Sequence, residues 1–331
     1  MNIEFHYYIT KYLALEAGFE REEAEIIAYS SQFVDDNFAI VKTITPAGKI
    51  YENAVTQTFD ITKPEKNYIR RYILFHYVPG DPTSAKVQRK DGKMHLLMTT
   101  ADGNYAQEIF YHTTRNNNLY ILGMVSHMLA DTFSHQNFIG TWDDMNSMSI
   151  VWEKSKPNIG HAEAGLKPDI PNLIWIDPRL IADNTEVNNK ERVLFAARKL
   201  YSNYIMTTSS ENNWASVKKN IAGILSQTIT EAELHLVAEQ QAERIEKYKK
   251  LLREFGAEED YHPEKWFNDA ILEEVKKEQW NLKDLSTKEF HFRDNYQKSN
   301  WYNFQEAAKQ YLKNAEIILR PLLSSLEMKE W

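Results

Sequence analysis

Three residues that can bind a metal ion, His127, Asp131 and His135, recur at four-residue spacing in the apolar stretch 119–140. On a helix each step of four residues rises about 6 Å and turns about 40° beyond a full circle, so the three side chains share one face. The two histidines would lie about 12 Å apart along the axis, too far apart to bind one ion. The spacing therefore predicts two ions, with Asp131 between them as a bridge.

The alternative interpretation is a core helix whose histidines make only structural hydrogen bonds. This interpretation would be preferred if the helix carried a single histidine. Three polar residues on one apolar face favour a metal site instead, because each would cost roughly 1–3 kcal/mol if left unpaired. The chain has no cysteine. Disulfides and thiolate ligands are therefore excluded, and His, Asp or Glu must hold any metal.

Further candidate ligands precede this stretch. His6 lies at the start of a first predicted helix, and Asp35 and Asp36 end a second one. Adjacent carboxylates at the C-terminus of a helix oppose its dipole, so they indicate a positive partner. Taken alone, however, the pair is explained more simply as an ordinary turn or helix stop. His76 lies near the end of a short predicted helix or strand that Pro79-Gly80 terminates. The pattern does not decide whether Asp35 or Asp36 is the ligand.

Two more candidates, His161 and Asp169, follow the central stretch in a segment rich in glycine and proline. Such a segment is irregular and rigid, which suits a ligand loop or, equally, a packing loop. Five histidines and several carboxylates exceed the needs of one four-coordinate ion, so two or three ions are implied.

The composition predicts a folded globular protein, since 43% of the 331 residues are hydrophobic and 12% are aromatic. The net charge of −8 argues against an extended nucleic-acid surface, although a short polynucleotide remains possible as a substrate. The N-terminus has no signal-peptide pattern, so we expect a cytoplasmic protein. The stretch 119–140 is long enough to cross a membrane, but its two histidines and its aspartate predict a core helix.

Apolar periodicity predicts a mainly α fold, a multi-helix bundle with one or two small β-hairpins inserted. Residues 39–58 form the first predicted hairpin, and residues 86–97 form the second around an Asp91-Gly92 turn. We expect a metal-site region in residues 1–185 and an amphipathic helical region in residues 186–331, packed together as one continuous domain. The predicted amphipathic helices cover residues 190–207, 212–255, 264–280 and 300–327.

The order of these candidates resembles that of the zinc-dependent phospholipase C and single-strand-specific nuclease superfamily. Shared features are an N-terminal His opening a helix, then an Asp, a His, an H-x-x-x-D pair on a central helix and two further ligands. The strings FHYYITKYLALEAGF, SHMLADTFSHQNF and GHAEAGLKPD also resemble an uncharacterised bacterial family of unknown function. The superfamily resemblance implies a mostly helical fold and a trinuclear zinc cluster that hydrolyses phosphate esters.

Carried over residue by residue, the resemblance implies one ligand set that runs through the first half of the chain. In it Asp131 is the bridge, and His135 and His161 hold the remaining ion. The full set implied is His6, Asp35 or Asp36, His76, His127, Asp131, His135 and His161.

The chain departs from the superfamily in three places. It begins Met1-Asn2-Ile3-Glu4, whereas the secreted enzymes begin with a processed Trp whose amine binds zinc, and Glu4 is a possible substitute. His135 follows Asp131 by four residues where six are expected. The acid expected after the loop histidine falls at Gly165, so Glu163 or Asp169 must replace it.

We therefore expect a metal-dependent phosphoester hydrolase with zinc or another divalent metal, in which Asp131 and Asp36 act in catalysis. Its substrate would be a small phosphate ester, a phospholipid or a nucleotide. The alternative is a non-catalytic metal-binding scaffold or an effector-like protein, which the long helical second half favours. An HD-type phosphohydrolase is disfavoured, because the chain has no His-Asp dipeptide.

Overall fold

The computed structural model describes residues 1–57, 66–148, 158–280, 283–326 and 328, and of residues 66–69 and 283–284 only the backbone. Within these ranges the fold is mainly helical with two small sheets, which confirms the predicted class. The helices are α1 Thr10–Glu16, α2 Arg21–Asp36, α3 Lys66–His76, α4 Asn104–Thr114, α5 Leu119–Ser134, α6 Asn189–Thr208, α7 Trp214–Ile224, α8 Val237–Arg253, α9 Lys265–Ala270, α10 Lys277–Trp280 and α11 Asn300–Ser325. The strands are β1 Lys42–Ile44, β2 Ile50–Tyr51, β3 Leu173–Ile176, β4 Glu186–Asn188, β5 Ile229–Thr230 and β6 Glu289–His291.

The first 36 residues form two helical segments, as the sequence predicts. A π-helical turn, Glu4–Ile9, carries His6 and continues directly into α1. Gly18 then takes a φ of +89°, a left-handed conformation that only glycine adopts without strain, and the chain reverses. A capping box between Glu20 and Glu23 starts α2. The π-helical turn is notable because such turns are frequent at functional sites.

Helix α5 is the centre of the fold. The Asn118 side chain caps it by accepting hydrogen bonds from the backbone N–H groups of residues 120 and 121, and residues 121–134 are all buried. It packs against α2, α3, α4, α6 and α11. Because helices surround it on several sides, its polar residues lie inside the protein rather than on its surface.

Helix α2 packs closely against α5, and Gly123 makes this possible. A Cβ atom at this position would lie 2.4 Å from the carbonyl oxygen of Ile27 and 2.5 Å from the Cβ of Ser30. The two helix backbones therefore approach each other more closely than any larger residue would allow.

The first sheet contains the predicted hairpin and one strand from the other half of the chain. Strands β1 and β2 pair antiparallel, and β6 pairs parallel with β1 so that Thr43 faces Phe290. Thr58, the last residue of the expected hairpin, lies outside the described residues. The prediction of a second hairpin over residues 86–97 was wrong. Asp91 does accept turn hydrogen bonds, but Arg89 pairs with Leu180 instead of with the residues after the turn.

The second sheet, in the order β4-β3-β5, was not predicted. All three strands come from the second half of the chain, and Trp175 faces Val187 across the β3–β4 pair. The long helix expected over residues 212–255 is divided into α7 and α8, because β5 and a 3₁₀ segment, Glu231–Leu236, lie between them. The helix expected over residues 264–280 is likewise divided into α9 and α10. The last residue of the expected helix 300–327 is outside the described part of the chain.

Among the residues that the structure places, no helix combines the length and the apolar character needed to span a membrane.

Candidate metal centre

The site begins where α2 and α5 run side by side. Three positions on α2 at four-residue spacing, Ile27, Ser31 and Asp35, lie along the face of α5 that carries Gly123 and His127. The backbone carbonyl of Ser31 accepts a hydrogen bond of 2.8 Å from His127 Nδ1. The close approach at Gly123 therefore sets the distance at which α2 presents its carbonyl and its carboxylate to the α5 histidine.

Four side chains converge at this point, namely Asp35, His76, His127 and Asp131. His76 Nδ1 and His127 Nε2 are 3.0 Å apart, and each lies 3.1 Å from Asp131 Oδ2. Asp35 Oδ1 lies 3.8 Å from the same nitrogen of His76 and 3.7 Å from that of His127. Donor atoms around one tetrahedral zinc ion are spaced by about 3.3 Å, given zinc–ligand distances near 2.0–2.1 Å. The spacing of these atoms is therefore suited to one ion.

The protonation of the two rings can be deduced from their second nitrogens. His127 Nδ1 contacts the Ser31 carbonyl, and His76 Nε2 contacts the Thr56 carbonyl at 3.2 Å. A carbonyl oxygen only accepts, so both of these nitrogens carry the proton. In the neutral rings, the two nitrogens that are 3.0 Å apart are both acceptors. A proton or a metal ion must therefore lie between them. In metal-binding histidines the second ring nitrogen usually donates to a group such as a backbone carbonyl, as it does here.

His6 lies on the other side of Asp131. Its ring stacks on that of His127, with centroids 3.8 Å apart, and its Nε2 is 3.1 Å from Asp131 Oδ1. The side chain is fully buried, yet neither ring nitrogen has a hydrogen bond of acceptable geometry within the described residues. A buried imidazole left in this state is costly, so His6 fits a role as a ligand.

A second group lies beyond the C-terminus of α5 and contains His135, His161 and Asp169. His135 Nε2 is 3.2 Å from Asp169 Oδ1, and His161 Nε2 is 3.1 Å from Asp169 Oδ2. The other nitrogen of each ring donates to a backbone carbonyl at 2.8 Å, that of His76 for His135 and that of Gly165 for His161. The tautomers are again set so that unprotonated nitrogens face a carboxylate. This group therefore also favours a cation.

Tyr77 contacts both histidines of the second group but is not itself one of the candidate ligands. Its ring stacks on His135 with centroids 4.6 Å apart, and its hydroxyl accepts a hydrogen bond of 3.2 Å from the backbone N–H of His161. A Cβ atom at Gly160 would lie 2.4 Å from the Tyr77 hydroxyl, and Gly160 has a φ of +52°. Glycine before His161 is therefore required by close approach as well as by backbone conformation.

The α-amino group of Met1 lies between the two groups. It forms an ion pair with Asp131, lies 3.1 Å from Asp169 Oδ1 and donates to Ser134 Oγ at 3.0 Å. Burial favours the neutral amine, but Asp131 and Asp169 outweigh burial and raise the pKa of this group to about 10. A cation thus sits between the two carboxylates.

The pKa shifts describe a centre of strongly interacting charges. Burial opposes ionisation of Asp131 and Asp169, but the Met1 ammonium and nearby histidines hold the pKa values of both carboxyls well below their usual range. Burial and the neighbouring His127 lower the pKa of His6 to about 4. Burial also lowers the pKa of His127, but Asp131 and Asp35 reverse this effect and raise it. The centre therefore keeps its carboxylates ionised, as metal ligands must be.

The structure brings together eight of the predicted ligands in three groups of three, two of which share His127. Within each group, one donor atom from every member lies within 4.8 Å of the others. The groups are His6, His127 and Asp131; Asp35, His76 and His127; and His135, His161 and Asp169. His127 and His135 lie in different groups with Asp131 between them.

Asp36 is not brought into these groups. Its carboxylate accepts hydrogen bonds of 3.1 Å from Gln32 Nε2 and 2.8 Å from the Tyr261 hydroxyl. Of the two adjacent carboxylates that end α2, the structure places only Asp35 beside His76 and His127.

Two other acids proposed as substitutes have different partners. Glu4 is fully buried and forms a two-bond ion pair with Arg244, at 2.7 and 2.9 Å. Glu163 accepts from the backbone of Met148 at 2.8 Å. Asp169 is the acid that contacts the two histidines of the second group. The Met1 amine and Tyr77 were not identified from the sequence, since no spacing pattern indicates them.

No curated protein and no solved structure matches the chain. A family model described as a family of unknown function, DUF6765, matches residues 1–317. Since this covers nearly the whole chain and every residue of the metal centre, the chain belongs to the DUF6765 family.

Proposed function

We propose that this protein is a metal-dependent phosphoester hydrolase with a multinuclear site. The observation that supports it most is the contact between His76 Nδ1 and His127 Nε2, two acceptor nitrogens that lie 3.0 Å apart. The second nitrogen of each ring donates to a backbone carbonyl. In the second group, the unprotonated nitrogens of His135 and His161 face the Asp169 carboxylate. Nitrogen and oxygen donors without thiolates suit zinc, and other divalent metals are possible.

Each residue has a defined role in this proposal. Asp35, His76 and His127 would hold one ion, His135, His161 and Asp169 would hold another, and Asp131 would bridge, with His6 completing the set. Bound divalent ions supply Lewis acidity, which lowers the pKa of water and neutralises charge on phosphoryl oxygens. The backbone carbonyls of Ser31, Thr56 and Gly165 keep the rings in the ligating tautomer.

The exposure of the ligands indicates where a substrate would approach. The side chains of His6, His127 and Asp131 are at most 1% exposed, whereas those of Asp35 and His161 are 29% and 16% exposed. A small phosphate ester, a phospholipid headgroup or a nucleotide would reach the centre from the Asp35 and His161 sides. The resemblance of the ligand order to zinc-dependent phospholipase C supports phosphoester hydrolysis as the reaction class.

The test is hydrolysis of bis(p-nitrophenyl) phosphate by zinc-loaded protein, with and without a chelator. Asp131→Asn should abolish metal-dependent turnover, whereas His112→Gln, a substitution at an exposed histidine on α4, should leave turnover unchanged. Turnover that survives both chelation and Asp131→Asn would contradict the proposal.

A second candidate is a non-catalytic metal-binding scaffold, favoured by the near-complete burial of His6, His76, His127 and Asp131. The same assay separates the two functions. Tightly bound metal without turnover of any phosphate ester, in a folded preparation, would favour the scaffold.

A further inference from the structure

A cleft of about 520 Å³ lies along one face of α6, apart from the metal centre. The helix contributes Arg192, Phe195 and Arg198, which lie at three-residue intervals on one face. We call this cavity the α6 cleft. None of the residues that line it belongs to the metal centre.

The floor of the α6 cleft is apolar. Leu180, Val187 and Phe133 line it and are buried, with Phe133 at the end of α5. Phe195 lies at the rim and is 53% exposed, with the ammonium group of Lys86 5.5 Å from its ring centroid. A large aromatic side chain open to solvent beside an apolar floor provides a surface for an apolar or aromatic group.

Arg192 is the cation that faces this cavity from within. To the described residues its guanidinium donates one hydrogen bond of 3.0 Å, which the carbonyl of Ser134 accepts, although it has five N–H donors. Within the part of the chain that the structure describes, it forms no ion pair, because the nearby Asp177 is paired with Arg179 at 2.7 Å. Burial lowers the pKa of Arg192 to about 10, although the nearby Asp177 carboxylate acts in the opposite direction. A half-buried guanidinium that has no ion-pair partner of its own and has N–H donors to spare favours an anion.

The rim selects among anions. Asp183, Glu186 and Glu191 are exposed and line the cleft together with Lys86 and Arg198. These carboxylates would repel a ligand that carries several negative charges. A ligand with one anionic group and an apolar body fits this distribution of charge better than a polyphosphate does.

We propose that the α6 cleft binds an organic anion, with one phosphate-type or carboxylate group on Arg192 and an aromatic or apolar body between Phe195 and the apolar floor. Arginine recognises both kinds of group through two parallel N–H···O bonds. The site is independent of the hydrolase proposed above, since it requires no metal.

The experiment is calorimetric titration of chelator-treated, metal-free protein with phenylphosphonate, which carries both a ring and an anion. Methylphosphonate lacks the ring and benzamide lacks the charge. Phenylphosphonate should bind at one site, at least tenfold tighter than either of the other two. Arg192→Gln should weaken it at least tenfold, and Phe195→Ala should reduce its advantage over methylphosphonate to a few-fold.

Arg253→Gln is the matched control, because Arg253 is an exposed arginine on α8 outside the cleft, and it should leave binding unchanged. Since Phe195 and Arg198 are exposed, Phe195→Ala and Arg198→Gln keep the test valid if Arg192→Gln fails to fold. Binding unaffected by the cleft variants, or binding that appears only after zinc is added, would overturn the proposal. In the second case the ligand would be at the metal centre.

Discussion

His76 Nδ1 and His127 Nε2 lie 3.0 Å apart although the other nitrogen of each ring donates to a backbone carbonyl. Helix α3 provides one of these residues and α5 the other. Two acceptor nitrogens facing each other in the protein interior repel unless a proton or a metal ion lies between them. The fold therefore concentrates affinity for a cation at this point, and the predictions below follow from it.

The first prediction distinguishes two adjacent carboxylates. Asp35→Asn should lower the metal content and reduce metal-dependent activity by roughly 100-fold or more, since loss of even an outer-shell partner costs 10–100-fold. Asp36→Asn should retain the metal content and the activity, because Asp36 accepts hydrogen bonds from Gln32 and Tyr261 and does not face the histidines. Metal analysis and the phosphodiesterase assay on the two variants provide the comparison. Equal losses in both would show that the assignment of Asp35 is wrong.

The second prediction concerns pH and Asp36. Burial raises the pKa of this carboxyl from 3.8 to about 6, although hydrogen bonds from Gln32 and Tyr261 act in the opposite direction. A raised pKa in the folded state means that ionisation destabilises the fold. The free energy of unfolding should therefore fall as pH rises from about 4 to about 6 and stay lower above that, by about 3 kcal/mol at most.

Asp36→Asn removes this loss because asparagine cannot ionise. Urea denaturation of metal-free protein should show the variant gaining stability relative to the native chain between pH 4 and pH 8. A difference between the two proteins that does not change with pH would rule out Asp36 as the cause.

The third prediction tests the close packing of α2 on α5. Gly123→Ala should destabilise the protein by about 1–3 kcal/mol or more, because the added methyl group meets the backbone of Ile27. Gly223→Ala in α7 is the matched control. A Cβ at Gly223 has nothing within 4 Å, so that variant should gain up to about 1 kcal/mol from helix propensity. Thermal unfolding of both variants is the measurement, and a neutral Gly123→Ala would contradict the proposed role of this contact.

The fourth prediction assigns Glu4 a structural role. Its carboxylate is fully buried against Arg244, so Glu4→Gln should cost about 3–5 kcal/mol by leaving a buried charge unpaired. The double variant Glu4→Leu/Arg244→Met should recover most of that loss, and its folded fraction should bind metal normally. A stable Glu4→Gln protein that has lost metal would instead identify Glu4 as a ligand.

Some of the metal centre could be predicted from the sequence, because helix geometry is local. The four-residue spacing of His127, Asp131 and His135 indicates one face, and the structure places Asp131 between the other two. The choice between Asp35 and Asp36 could not be made in this way. Adjacent residues on a helix point about 100° apart, and only the packing of α2 on α5 determines which of them faces the histidines.

The predictions that were wrong depended on distant partners. Arg89 pairs with Leu180, about 90 residues further along the chain, and β6 joins β1 from the opposite end of the sequence. Neither pairing has a local signal. A turn such as Asp91-Gly92 indicates that the chain reverses but does not determine which strand it meets.

The most direct test of the account is the number of metal ions bound per chain after zinc loading and desalting, combined with their positions by anomalous diffraction. We predict two or three ions, one beside Asp35, His76 and His127 and another beside His135, His161 and Asp169. A folded, zinc-loaded protein that retains no metal, or that binds it away from these residues, would contradict the account.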